Sequence, residues 1–169
     1  EKVVEKLQYY INYLKEGEYQ MENAYAQTPF TVVADTLKHQ ILNKLIKITA
    51  KDSLRYTLSV SFEEGNFPTQ EYHSKDRSQV AMPTQDFERD YIFGQKVVLP
   101  FFNGTINRSE KPLQAGKPYF FRFGNFDGVV SRFRSINIQP ESQGSSVLNL
   151  TLTGHNKAEI VDYLNATVE

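Results

Sequence analysis

The spacing of apolar residues changes as the chain proceeds. Val3, Val4, Leu7, Ile11 and Leu14 recur at helical intervals with Lys and Glu between them. That is one apolar stripe on a helix. Gly17, just past the last periodic residue, predicts the exit, because glycine enters the left-handed conformation at almost no cost. From Phe30 onward the signals are strands and turns. Thr31 to Asp35 carries β-branched residues, and Ile41 to Ala50 is an apolar run studded with Lys44 and Lys47. The cleanest element is 54–62: Leu54, Tyr56, Leu58, Val60 and Phe62 alternate with Arg55, Thr57, Ser59 and Ser61. A strict period of two predicts a long antiparallel strand with one buried face.

The stretch from Glu63 to Arg89 is polar and broken by Gly65, Pro68 and Pro83, so it reads as a mobile loop or extended excursion. Strand signals return at Tyr91 to Phe93, Lys96 to Phe102, Thr105 to Asn107, Tyr119 to Phe123, Val129 to Ile138 and Val147 to Thr153. In the last two, Phe133 is followed by Ile136 and Ile138, and Leu148, Leu150 and Leu152 oppose Asn149, Thr151 and Thr153. A closing helix is predicted from Asn156, a capping residue with Glu159 at the third helical position, with Ile160, Val161, Leu164 and Val168 along one face.

The order helix, many strands, helix predicts an α+β fold: an antiparallel or mixed sheet with an N-terminal and a C-terminal helix packed against it. The chain from 1 to 169 reads as one domain, with 36–140 a β-rich elaboration within it. No sequence period points to a solenoid or a propeller. The chain opens inside one helical pattern and closes inside another, which predicts a portion of something longer.

Composition narrows the function classes. A chain of 169 residues buries roughly 70% of its unfolded surface and needs no metal or disulfide to hold a core. It has no Cys, which excludes thiol catalysis, Cys-based zinc sites and iron–sulfur clusters. Its 19 Lys and Arg balance 20 Asp and Glu, evenly along the chain, which argues against a nucleic-acid partner. No run approaches the ~18 apolar residues of a membrane span.

Candidate chemistry is sparse. His39, His73 and His155 stand at no ligand-like offset. Asp86, Glu88 and Asp90 alternate, so an extended chain sets three carboxylates on one face, which reads better as a solvated face than as a cation site. No phosphate-cradling glycine motif is present, and no catalytic, cofactor-binding or metal-binding residue is assigned. Sequons occur at Asn103, Asn107, Asn149 and Asn165. Asp35-Thr36-Leu37 and Asp52-Ser53-Leu54 resemble the Asp-hydroxyl-apolar pattern of bacterial O-glycosylation. Tyr119 to Phe123, with Arg132 and Arg134, supplies aromatic and cationic groups that could stack on or clasp a sugar, although aromatics alternating along a strand more often belong to a core.

Three stretches resemble the chain-length determinant proteins (polysaccharide co-polymerases), in particular the branch fused to an exopolysaccharide tyrosine autokinase. They are EKVVEKL at Glu1 to Leu7 with the following Tyr13 to Gly17, Tyr25 and Pro29-Phe30; YIFG and KVVLPF within Tyr91 to Phe101; and SSVLNLTLTGHNKAEIVDYLNATVE at Ser145 to Glu169. The resemblance covers about a third of the chain. It implies a periplasmic domain between two inner-membrane helices, homo-oligomeric assembly, contact with the polysaccharide polymerase and the outer-membrane export channel, and control of glycan length. Kinase activity would belong to a separate cytoplasmic domain, and the domain itself would be a non-catalytic scaffold. The alternative is a carbohydrate-binding β-rich module of another cell-surface system.

Overall fold

Alternating β-branched and aromatic residues build the sheets that dominate the protein. The computed structural model describes residues 1–134, 137–142, 147–154 and 156–168. In chain order the elements are α1 (Lys2–Lys6), β1 (Ile11–Glu16), β2 (Met21–Asn23), β3 (Phe30–Ala34), β4 (His39–Ile41), β5 (Ile46–Ala50), β6 (Arg55–Phe62), β7 (Gly65–Glu71), β8 (Arg77–Met82), β9 (Gln85–Ile92), β10 (Lys96–Val98), β11 (Asn103–Arg108), β12 (Pro118–Phe123), α2 (Phe126–Phe133), β13 (Asn137–Pro140), β14 (Leu148–Thr151) and α3 (Lys157–Val168).

Six strands form the main sheet in the order β2-β1-β12-β5-β6-β9, and β10-β11-β3, β4-β7-β8 and β13-β14 form smaller ones. Every strand pair is antiparallel. Register puts Ile11, Phe121, Phe123, Ile46, Ile48, Tyr56 and Leu58 on the same face of the main sheet. That face is buried, and Phe30, Val32, Val97 and Ile106 from the β10-β11-β3 sheet join the same core cluster. The ring of Phe30 meets Tyr119 edge-on, and Tyr10 stacks on Tyr72 at 3.7 Å.

The expected α+β arrangement with a β-rich insertion over 36–140 does not form. The fold is β-rich: among the described residues, helix is confined to three short elements, one before the strands, one between them and one after them. The strands before residue 36 are woven into the rest, since β1 pairs with β12 and β3 with β11.

Four local expectations are corrected for identifiable reasons. The N-terminal helix stops at Lys6, because Gln8 adopts a positive φ of 49° and the next three residues, Tyr9, Tyr10 and Ile11, are all buried. A continuous helix would turn one of them to solvent. Gly17 instead closes the β1–β2 hairpin, its N–H donating to the Gln20 carbonyl. The 63–89 excursion is ordered into β7, β8 and most of β9. Pro68 is tolerated inside β7 because its carbonyl faces Leu42 N–H beyond the end of β4, so its missing donor faces the same side and not β8.

The strand expected over 129–138 is largely α2. Asn125 caps that helix by accepting from Gly128 N–H at 3.1 Å, and Phe126, Val129, Val130 and Phe133 form its buried stripe. Ile136 lies outside the described residues. Finally, the strand expected over Val147 to Thr153 forms as β14, which among the described residues pairs with β13 alone and stands apart from the main sheet, leaving Leu148 55% exposed. The 54–62 strand forms as expected, burying Tyr56, Leu58, Val60 and Phe62, whereas Leu54 lies outside it and is exposed.

Candidate functional site

A dense long-range constellation joins the two ends of the chain. Asn156 caps α3, its Oδ1 accepting from the N–H groups of Ala158 and Glu159 at 3.0 and 3.2 Å. Glu159 does not complete a capping box. Its carboxylate receives Arg132 from α2 at 2.7 Å, and its backbone carbonyl accepts the Tyr9 hydroxyl at 2.9 Å. The rings of Phe133, Tyr163 and Tyr9 all touch one another, Phe133 stacked on Tyr163 at 4.3 Å and on Tyr9 at 5.1 Å, with Tyr9 and Tyr163 6.0 Å apart. Tyr25 closes the group by donating to Asp162 at 3.0 Å, and the Asn156 amide donates to Asn23 at 3.1 Å.

Thus α3 is held by residues preceding β1, by the β2–β3 connection and by α2. Burial pushes the Tyr9 hydroxyl up to about 12, with the carboxylates of Asp162 and Glu159 adding to the effect. Burial likewise raises Tyr25, reinforced by its bonds to Tyr9 and Asp162. All of these phenols stay neutral at physiological pH. The face of α3 that docks is Ile160, Tyr163 and Leu164, whereas Val161 and Val168, expected on the packed face, are exposed.

A second feature lies along β3, an edge strand whose outward backbone groups are sealed by side chains. Val32 N–H donates to the Tyr13 hydroxyl at 2.8 Å, and that hydroxyl donates to the Val32 carbonyl at 3.4 Å. Gln8 accepts from Ala34 N–H, and Thr28 donates to the Phe30 carbonyl at 2.7 Å. Sealing an edge in this way blocks strand addition. A hollow of about 900 Å³ runs beside it, between Leu7, Tyr13, Tyr25 and Thr31.

The sequence-derived sugar platform is dispersed. Tyr119, Phe121 and Phe123 point into the core, leaving Phe120 half-buried and Arg122 exposed on the outer face of the main sheet. Arg132 and Arg134 belong to α2 and its C-terminal cap. Phe120 adjoins Lys47, Ser59 and Glu88 in a shallow hollow of about 700 Å³.

Asp86, Glu88 and Asp90 do share a face, opposite Ser61, Ser59 and Thr57 on the edge strand β9. Asp90 is engaged by Lys51 and by Thr57 at 2.7 Å, and the Lys51 contact holds its carboxyl below the usual range. Among the described residues no group of His, Asp and Glu is arranged to hold a metal ion. His39 meets Thr69 at 3.2 Å, His73 is exposed in a turn, and His155 lies outside the described residues. Of the sequons, Asn103 is buried with its amide donating to the Leu99 carbonyl, which closes it to modification, while Asn149 and Asn165 are exposed.

Sequence reasoning missed the aromatic clamp. Its signal was present in part: Asn125 followed by apolar residues at 126, 129, 130 and 133 is a capped helical stripe. Among the described residues, no helix is long and apolar enough to cross a membrane. Compared with known proteins, the chain matches no family model and no curated protein.

Proposed function

We propose that this domain is a non-catalytic periplasmic scaffold of an inner-membrane polysaccharide co-polymerase, acting on the chain length and export of a surface polysaccharide. The observation that carries the reading is the clamp: α3 is fixed to Tyr9 beside α1, to Tyr25 of the β2–β3 connection and to α2 by a ring stack, an ion pair and two tyrosine hydrogen bonds. A scaffold between two membrane anchors has to transmit a fixed orientation between the segments entering and leaving it. Rigid aromatic stacking at the meeting point of the first and last helices does this. In the full-length protein the partners are further copies of the chain, the polymerase and the outer-membrane export channel, with the membrane reached through flanking helices. A tyrosine kinase, where fused, lies in a separate cytoplasmic domain.

The test is topological. Full-length protein in its native host should fractionate with the inner membrane, and protease added to spheroplasts should cleave this domain. Recovery in the soluble fraction, or protection of the domain in intact spheroplasts, overturns the reading. A second reading, a carbohydrate-binding module, draws on the Phe120 hollow with its flanking Lys47 and Glu88. It requires saturable glycan binding by the isolated domain that Phe120→Ala abolishes.

A further inference from the structure

Two turns of this protein share a constellation that the scaffold reading does not use. Of the seven aspartates in the chain, only Asp35 and Asp52 precede a serine or threonine, and in both cases leucine follows. One turn joins β3 to β4 and the other joins β5 to β6. In each, the aspartate Oδ1 accepts the N–H of the leucine two residues on, at 3.1 Å for Leu37 and 2.8 Å for Leu54. Both are Asx turns; they leave Ser53 exposed and Thr36 half-buried, the Thr36 carbonyl accepting the His73 N–H at 2.9 Å while its hydroxyl stays outside the backbone pairing. Each aspartate is also steadied by a cation, Asp35 by Lys96 at 3.6 Å and Asp52 by the forked guanidinium of Arg55 at 2.7 and 2.9 Å.

The leucines are the second unusual feature. Leu54 is 67% exposed and Leu37 62%, the highest values for any leucine among the described residues. A branched aliphatic side chain at a turn tip buries little, and turn chemistry favours Gly, Asn, Asp, Ser or Pro there. Neither Thr36 nor Ser53 spends its hydroxyl on a hydrogen bond within the described residues.

We propose that Thr36 and Ser53 are O-glycosylation sites, each presented in a rigid Asp-hydroxyl-Leu turn that one sequence-reading transferase recognises through the fixed carboxylate and the outward leucine. The donor is a sugar esterified to a diphosphate carrier. The side-chain oxygen attacks the anomeric carbon, the bond from that carbon to the diphosphate oxygen breaks with its electron pair, and the carrier leaves as the diphosphate. The hydroxyl proton passes to a base of the transferase, because the neighbouring aspartate is already committed to backbone N–H and a cation. A neutral sugar suits this site better than a phosphate, which would place a second anion beside the aspartate. The inference leans on the periplasmic reading only for the setting in which such a donor is met.

The test is peptide mass spectrometry, with fragmentation that preserves side-chain adducts, on full-length protein purified from its native host. The expected result is the same glycan on Thr36 and on Ser53. T36A/S53A should bring the domain's peptides to the masses of their sequence, S53T should keep the adduct, and L37A/L54A should lose most of the occupancy while the domain stays folded by circular dichroism. Bare Thr36 and Ser53, a phosphate in place of the sugar, or glycan confined to other residues overturns the proposal. Membrane fractionation of the same preparation tests the scaffold reading separately, so failure of one does not masquerade as failure of the other.

Discussion

Removing the Tyr163 ring tests whether α3 is fixed by the clamp or merely rests on the body. Tyr163 is 7% exposed and stacks on Phe133 at 4.3 Å and on Tyr9 at 6.0 Å. Tyr163→Ala uncovers roughly 150 Å² of apolar surface, about 4 kcal/mol at ~25 cal/mol per Å². What then holds α3 is the partly buried Ile160 and Leu164 and the polar bonds of Glu159 and Asp162. Those exposed polar bonds are each worth ~1 kcal/mol or less. With α3 opening as its own unit, each ~1.4 kcal/mol is tenfold, so amide protection along α3 should fall roughly 500-fold. Hydrogen exchange read by mass spectrometry resolves this by segment: α3 peptides lose protection while those from β5 and β6 keep theirs. Tyr163→Phe keeps the ring and should leave α3 within about threefold of the parent. Unchanged α3 protection in the alanine variant, or an equal loss in α3 and in β5–β6, refutes the reasoning.

Alkali should unfold the protein through its buried phenols. Burial raises Tyr9 and Tyr13 from 10 to about 12 and raises Tyr10, Tyr56 and Tyr72 in the same direction, so their contribution is complete below about pH 10 and is lost as pH climbs toward 12. A thermal midpoint that stays flat from about pH 9 to about pH 12 contradicts this. Tyr13→Phe should unseal the β3 edge, leaving both backbone groups of the buried Val32 without partners, at a cost of about 1–3 kcal/mol by urea unfolding; an unchanged midpoint would show the seal to be dispensable. At Gly104 an added Cβ would lie 2.3 Å from the Val33 carbonyl oxygen, so Gly104→Ala should cost at least ~3 kcal/mol. Gly116→Ala, strained only by its φ of +77° in open space, should cost ~1–2 kcal/mol, and equal losses in the two variants would contradict the packing of β11 on β3.

Sequence patterning identified elements where one face is buried and failed where burial is uneven. The alternation at 54–62 was legible because β6 lies inside the main sheet and buries every second residue from Tyr56 to Phe62. The hairpin strands β7 and β8 were not, because they bury polar Thr69 and Gln70 and satisfy them with bonds that composition does not reveal. The helix expected through Leu14 was overridden by tertiary burial of Tyr9 and Tyr10, a competition that periodicity cannot see. Asn156 was legible as a cap because capping depends on local sequence alone. The clamp needs residues 9, 25, 133 and 163 together, and no spacing rule relates positions so far apart. The leucines of the two Asp-hydroxyl-Leu turns gained meaning only from their exposure, which the triplets do not encode.

The proposed control of an exported glycan is tested most directly by the length distribution of the surface polysaccharide. Sized by gel electrophoresis or size-exclusion chromatography, material from a strain lacking the gene is compared with strains restored by the wild-type gene or by the F133A/Y163A form. Deletion is expected to shift or abolish the distribution, the wild-type gene to restore it, and the clamp variant to fail to restore it despite normal protein levels. A distribution identical in the deleted and wild-type strains contradicts the scaffold reading.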